Sequence, residues 1–258
     1  MEALSAKERI IVPIDTDDLN RAVELVADLR DHVGAFKFGL EFGTSLLVSL
    51  VRGTDCDGAR AQLDLACELF RLLDGRVMWD GKFDDIPNTM GGAARGTNAL
   101  RPKFLTVHAS SGIDGMFAAV DNRGEASVLA VTVLTSRGED DAHLTFGGPT
   151  KAKVLQFARE AVLAGAQGIV CSPQELGLIK SRRELKGLVT VVPGVRPTWA
   201  AANDQKRVMT PGEAVRAGAD YLVIGRPIIQ PPEKFLYPHE AADMIAGEIA
   251  NALGQTAL

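Results

Sequence analysis

Short runs dominated by Val, Ile and Leu alternate with longer amphipathic segments from Arg9 almost to the C-terminal Leu258. Compact apolar runs bounded by turn residues read as buried strands, and apolar positions recurring every three or four residues read as helices. On that basis strands are expected at 10–15, 35–40, 76–80, 103–108, 128–134, 168–171, 188–192 and 221–224. Helices are expected between and after them, at 18–31, 60–73, 87–99, 112–121, 151–163, 173–181, 211–217 and 240–253. The near-continuous apolarity of the strands fits parallel strands covered on both faces.

Eight strand–helix units with no Pro/Gly/Ser-rich linker predict one α/β domain spanning 1–258, a single (β/α)8 TIM barrel, rather than two domains or an open doubly wound sheet. Pro13 is awkward inside the first strand, because a barrel strand is paired on both sides and proline has no N–H to donate. Two connections look long. One covers 49–59; the other, 136–150, is polar, carries Gly147, Gly148 and Pro149, and reads as a mobile lid.

Composition narrows the partners. With 46% hydrophobic and 24% charged residues the chain is an ordinary globular one. Against 33 acidic residues stand 28 basic ones, a formal charge of −5, and no basic stripe suggests nucleic acid. The three cysteines, Cys56, Cys67 and Cys171, lack C-x-x-C spacing, which points away from a disulfide framework or zinc knuckle and towards a reducing compartment. No apolar stretch is long enough to span a membrane and the first residues lack the apolar core of a signal peptide, so a cytoplasmic location is expected.

In such a barrel the polar residues at the C-terminal strand ends line the active face. Those ends supply Asp15, Lys37, Asp80 with Lys82, His108, Thr135 with Ser136, Ser172, Arg196, and Gly225 with Arg226. Asp80 and Lys82 are two apart, so on an extended strand both side chains leave one face and point to the barrel mouth. Asp85 follows at the turn. A lysine between carboxylates stays protonated and placed, since unit charges about 4 Å apart attract by roughly 4 kcal/mol at an effective dielectric near 20. That suits a general acid delivering a proton to carbon. After the seventh and eighth strands come PGVRP (193–197) and IGRP (224–227), in the place where barrels often bind phosphate with glycine N–H groups and a cation. His108 has no companion at metal-ligand spacing, and a hydrogen-bonded structural role is expected for it. The 91–96 segment lacks dinucleotide-loop spacing, and Cys171, with no histidine partner in view, reads as packing.

Taken together, DGKFDDIPNT (80–89) resembles the D-x-K-x-x-D-I-P-N-T signature of the orotidine 5'-phosphate decarboxylase family. The resemblance extends over nearly the whole chain, through residues 11–15, Lys37-Phe38-Gly39, VTVLTS (131–136), PGVRP, Asp204-Gln205-Lys206-Arg207 and DYLVIGRP (220–227). It implies decarboxylation of orotidine 5'-phosphate to uridine 5'-phosphate in pyrimidine nucleotide synthesis, without metal or other cofactor. By that resemblance Lys82 donates the proton to C6, Asp80 lies against the substrate carboxylate, and Lys37 and Asp15 meet the ribose. Asp85, with Ile86 and Thr89, would serve the neighbouring site of a homodimer, and Thr135 or Ser136 would meet the pyrimidine edge. Arg196, Gln205, Gly225 and Arg226 would hold the phosphate, Gln205 from a loop that closes over the ligand.

Gly81, Asp84 and Met90 depart from residues common within the signature. A magnesium-dependent branch of the same superfamily, acting as 3-keto-L-gulonate 6-phosphate decarboxylase or hexulose phosphate synthase, shares D-x-K-x-x-D. It resembles this chain less, because it places an acidic metal ligand where Lys37 stands. A noncatalytic phosphate-ligand barrel is the remaining alternative.

Overall fold

The computed structural model describes residues 4–52, 56–200 and 209–254. Eight parallel strands close on themselves in sequence order: β1 (Ile10–Pro13), β2 (Ala35–Phe38), β3 (Val77–Phe83), β4 (Phe104–His108), β5 (Ser127–Val131), β6 (Gly168–Val170), β7 (Val189–Pro193) and β8 (Tyr221–Val223). The ring is sealed by β1, which pairs with β2 through Ile11↔Ala35 and with β8 through Ile11↔Val223. This is the expected (β/α)8 barrel.

Around it run α1 (Leu19–Leu29), α2 (Leu40–Arg52), α3 (Cys56–Leu73), α4 (Pro87–Thr97), α5 (Gly112–Asp121), α6 (Glu139–Phe146), α7 (Thr150–Leu163), α8 (Leu176–Lys180), α9 (Pro211–Arg216), α10 (Arg226–Ile229) and α11 (Pro238–Leu253). Local chemistry sets several of their starts. Asp18 caps α1 by accepting from the N–H groups of Asn20 and Arg21, and the helix then buries Leu19, Ala22, Leu25, Val26 and Leu29 on one stripe. Pro87, Pro211 and Pro238 each occupy a first turn, where a missing N–H costs nothing. On the outer wall, His32 and His239 stack at 5.0 Å, each bonded to a carboxylate of α11 or α1, Asp243 and Asp28 respectively.

Two apolar cores result. The larger fills the space between strands and helices; the smaller lies inside the barrel, where Ile11, Ala35, Met78, Phe104, Leu129, Val191 and Tyr221 pack together. That inner layer fixes which residues reach the mouth. Ala35 and Lys37, Met78 and Asp80, and Phe104, Thr106 and His108 are each two apart on one strand and so share its inward face.

Several expectations need correction. The 49–59 connection is mostly helical: α2 and α3 flank residues 53–55, which lie outside the described residues, and α3 begins at Cys56 rather than at 60. The polar 136–150 segment contains α6, the expected 128–134 strand spans Ser127–Val131, and 173–181 divides into a 3-10 turn followed by α8. Pro13 causes no break. The β1–β8 ladder has its last register pair at Ile11↔Val223, so Pro13 lies past the end of β8, while on the other side Ile14 N–H reaches Lys37 O at 2.8 Å.

Close approach selects glycine at Gly168, the first residue of β6. A Cβ there would lie 2.5 Å from Val189 O and 2.8 Å from Leu129 Cδ2. The first is backbone of the paired strand and cannot rotate away. Gly168→Ala is therefore expected to destabilise the barrel by about 1–3 kcal/mol, the usual cost of overpacking, measured by urea unfolding; an unchanged midpoint would show that the β6–β7 contact is looser than described.

Candidate active site

The mouth is organised around Asp80. Its Oδ2 lies 2.6 Å from Lys82 Nζ and 3.5 Å from Lys37 Nζ, and Lys37 Nζ is in turn 3.1 Å from Asp15 Oδ1. Asp15, Lys37, Asp80 and Lys82 thus form one unbroken alternation of charge across the ends of three strands. The Asp80 side chain is only 7% exposed. Burial alone pushes its carboxyl towards the neutral form, but Lys37, Lys82 and the hydrogen bonds from Lys82 and Thr106 outweigh burial and hold it below the ordinary carboxylate value. Stability contributed by the ionised group is therefore present at neutral pH and lost only as the pH falls through that depressed value.

The local backbone departs from the extended geometry expected for 79–82. Pairing of β3 with β4 jumps from Trp79↔Leu105 to Phe83↔Val107, so β3 carries a bulge, and Lys82 sits in the left-handed region at φ 46°. A non-glycine residue there costs on the order of 1 kcal/mol and persists only when its surroundings fix it. Thr106, fully buried on β4, does the fixing: its hydroxyl accepts Lys82 N–H at 3.0 Å and donates to Asp80 Oδ1 at 2.9 Å. Gly81 is part of the same device, since a Cβ at that position would meet the Phe83 ring at 2.5 Å and Trp79 Nε1 at 3.1 Å.

Two cavities meet at this array. One of about 250 Å³ is lined by Lys37, Asp80, Lys82, Thr135 and a set of apolar residues that includes Met78, Val131 and Cys171. The other, about 430 Å³, is lined by Asp15, Lys37, Arg196, Gly225 and Arg226. Lys37 and Val223 line both. Gly225 is required where it stands, because a Cβ would fall 2.8 Å from the Pro13 ring. A third cleft of about 700 Å³ adjoins them between the loops after β5 and β6, and Thr135, Ser136, Ser172 and Glu175 line it.

Not every expected residue joins the array. Asp85, Ile86 and Thr89 are exposed at the start of α4 and line none of these cavities; the Asp85 carboxylate accepts Ile86 N–H at 2.6 Å. Gln205, with Asp204, Lys206 and Arg207, lies outside the described residues. His108 ends β4 half-buried, and neither ring nitrogen has a hydrogen bond among the described residues, against the expectation of a hydrogen-bonded structural histidine. Burial lowers its pKa, with Asp84 opposing. Among the described residues no three His, Cys, Asp or Glu side chains converge as metal ligands would.

Sequence reasoning missed Thr106 and Glu175. Within FLTVH a threonine reads as an ordinary strand former; its inward parity with His108 was the available signal. Ser172 and Glu175 carry the S-x-x-E spacing of a capping box, which the structure contains. Glu175 is buried and its carboxyl is pushed up to about 7 by that burial, against the hydrogen bond from Ser172 N–H. Cys171 is fully buried beside it, and burial raises its thiol pKa, in keeping with a packing role.

A closed parallel barrel whose C-terminal mouth gathers an alternating charge array around a buried carboxylate, beside an arginine-lined cavity, has the architecture of a (β/α)8-barrel enzyme. Residues 8–235 match the family model described as Orotidine 5'-phosphate decarboxylase / HUMPS family. The chain belongs to that family. It is 38% identical over 263 residues to the orotidine 5'-phosphate decarboxylase of Heliobacterium modesticaldum, covering 98% of this chain and all of that protein. To the enzyme of the same name from Anaeromyxobacter dehalogenans it is 42% identical, covering 94% and 99% respectively. The crystal structure of orotidine 5'-phosphate decarboxylase from Lactobacillus acidophilus superposes with a TM-score of 0.70 at 26% identity, over 93% of this chain and 98% of that one.

Thr106→Val keeps the shape of the side chain but leaves Lys82 N–H without its acceptor and Asp80 without one donor. The expected loss of stability at neutral pH is about 1–3 kcal/mol, read by urea unfolding. A variant as stable as the parent would mean that the bulge is held by something else.

Proposed function

We propose that the chain decarboxylates orotidine 5'-phosphate to uridine 5'-phosphate, with Lys82 as the proton donor and no metal or other cofactor. The observation that carries this reading is the Lys82 Nζ held 2.6 Å from a buried, ionised Asp80 in a cavity that opens into an arginine-lined one. Two chambers meeting at Lys37 suit a ligand with a flat base at one end and a phosphate at the other. The base enters beside Asp80, Lys82 and Thr135, with Ser136 at its outer edge. The phosphate lies against Arg196, Arg226 and the N–H of Gly225, whose missing side chain permits close approach, with Gln205 as a further phosphate-binding residue. Asp15 and Lys37 lie between the two ends, at the height of the ribose.

In the reaction the bond from C6 to the carboxylate breaks, its electron pair remains on C6, and carbon dioxide leaves. A proton from Lys82 Nζ completes the C6–H bond, and the lysine is reprotonated from water. Asp80 serves twice. Its negative charge repels the substrate carboxylate and not the neutral carbon dioxide that departs, and it keeps the Lys82 ammonium aimed. Since the charges are fixed before substrate arrives, little reorganisation is left for the transition state. Phosphate binding far from C6 supplies energy for assembling the reacting end.

Asp85, Ile86 and Thr89 fit the same reading as residues that complete the site of a second subunit in a homodimer. Their exposure at and just before the start of α4, and the exposed Ile113 and Phe117 on the adjacent α5, supply a surface for that contact. A cytoplasmic location accords with the pathway; among the described residues no helix is long and apolar enough to cross a membrane. The magnesium-dependent branch is disfavoured by Lys37, a cation where that branch places an acidic ligand.

Loss of orotidine 5'-phosphate absorbance, followed with purified protein in a chelator, tests the reading. Wild type is expected to turn over, and Lys82→Ala to lose at least about 10²–10⁴-fold in kcat, the usual scale of a general acid, while still binding uridine 5'-phosphate. Full activity in the variant contradicts the donor assignment. Strict dependence on magnesium would place the chain in the metal-dependent branch, and binding without turnover would make it a noncatalytic receptor.

A further inference from the structure

The turn that ends β6 carries a buried carboxyl that the reaction described above leaves unused. Pairing of β6 with β7 runs to Val170↔Val191, and Cys171 N–H still reaches Val191 O at 3.2 Å. On the β5 side, Thr132 closes the pairing by donating its N–H (3.1 Å) and its hydroxyl (2.9 Å) to Val170 O. The next amide has left the ladder: Ser172 N–H donates instead to Glu175 Oε2 at 2.8 Å, and Ser172 Oγ accepts from Gln174 N–H. Here the loops after β5 and β6 part and the 700 Å³ cleft opens, with Thr135 and Ser136 on one wall and Ser172 and Glu175 on the other.

The fold contains a control for this motif. Thr210 and Glu213 make the same capping box at the start of α9, but Glu213 is exposed and its hydrogen bonds hold its pKa below the ordinary value. Glu175 is only 6% exposed. A turn that needed capping alone would be served as well by a neutral amide, without the cost of burying an ionisable group.

We propose that Glu175 is a positioning residue for the pyrimidine side of the site: its carboxylate holds the Ser172–Pro173 turn in the arrangement that receives the base, and the hold tightens as the carboxyl ionises. The inference rests on the decarboxylase reading of the site. A charged acceptor binds an N–H about twice as strongly as a neutral one, so the turn is firmest once the proton has left. The titratable groups around Glu175 do not stand in for it. The Cys171 thiol is driven to high pKa by burial, Lys180 and Asp220 are paired at 2.9 Å, and Arg137 and Glu139 lie on the outer lining of the cleft.

The test is the KM for orotidine 5'-phosphate of Glu175→Gln divided by that of wild type across neutral pH, a ratio in which titration of the substrate's own phosphate cancels. The ratio is expected near one at about pH 5.5, where both side chains are neutral, and about five- to tenfold at about pH 8.5, with kcat within roughly threefold throughout. A ratio that does not change with pH overturns the inference, and so does a loss confined to kcat. Wild-type binding of uridine, which carries no phosphate, is a second readout needing no variant; tighter binding above neutrality is expected, and a flat profile over the same range counts against the role. If the wild type fails to turn over orotidine 5'-phosphate at all, the functional reading falls and this inference with it; turnover with a flat ratio removes the inference alone.

Discussion

One buried carboxylate, Asp80, governs the mouth of this barrel. Both lysines within its reach are held by it, and each would face the other across a poorly solvated space without it. A buried charge persists only when it is paired and hydrogen-bonded, and Asp80 has every partner that requirement asks for: two ammonium groups and one hydroxyl. The lysines are thereby fixed in place before any ligand arrives. That is the condition for a site whose work is electrostatic, because fixed charges favour charge redistribution in a substrate without having to move.

The closed sheet makes this arrangement inexpensive in entropy. Lys37, Asp80 and Thr106 share the inward faces of neighbouring strands with Ala35, Met78 and Phe104, so the packed interior beneath them sets their direction. Only Lys82 needs special handling. A bulge in β3 and a left-handed backbone return its ammonium to Asp80, and Thr106 and Gly81 hold that geometry in place. Within the charge array the left-handed backbone thus falls on the lysine proposed as the proton donor.

Much of this was legible in the chain. The eight strands stand out because β-branched, apolar runs have few other places to go than a sheet covered on both faces, and the charged strand ends followed from the register. Pro13 looked like an obstacle only because its position relative to the end of β8 cannot be read without the shear of the barrel. The α2 helix was hidden because its apolar residues do not keep to one face: Leu47 and Val51 are 63% and 76% exposed. The α6 helix was hidden for the opposite reason, since Ala142 is its single buried residue. The bulge escaped because strict alternation predicts the same meeting of Asp80 and Lys82 by a simpler route. Thr106 escaped because its partners come from a neighbouring strand, a contact that spacing along the chain does not encode, whereas the S-x-x-E spacing of Glu175 signals a cap but not the burial of its carboxyl.

A crystal structure with uridine 5'-phosphate bound tests the account most directly. It is predicted to show C6 of the base within about 3.5 Å of Lys82 Nζ, near-attack distance, with the phosphate on Arg196 and Arg226. A nucleotide lying in the reverse direction, or a C6 atom out of reach of Lys82, would contradict it.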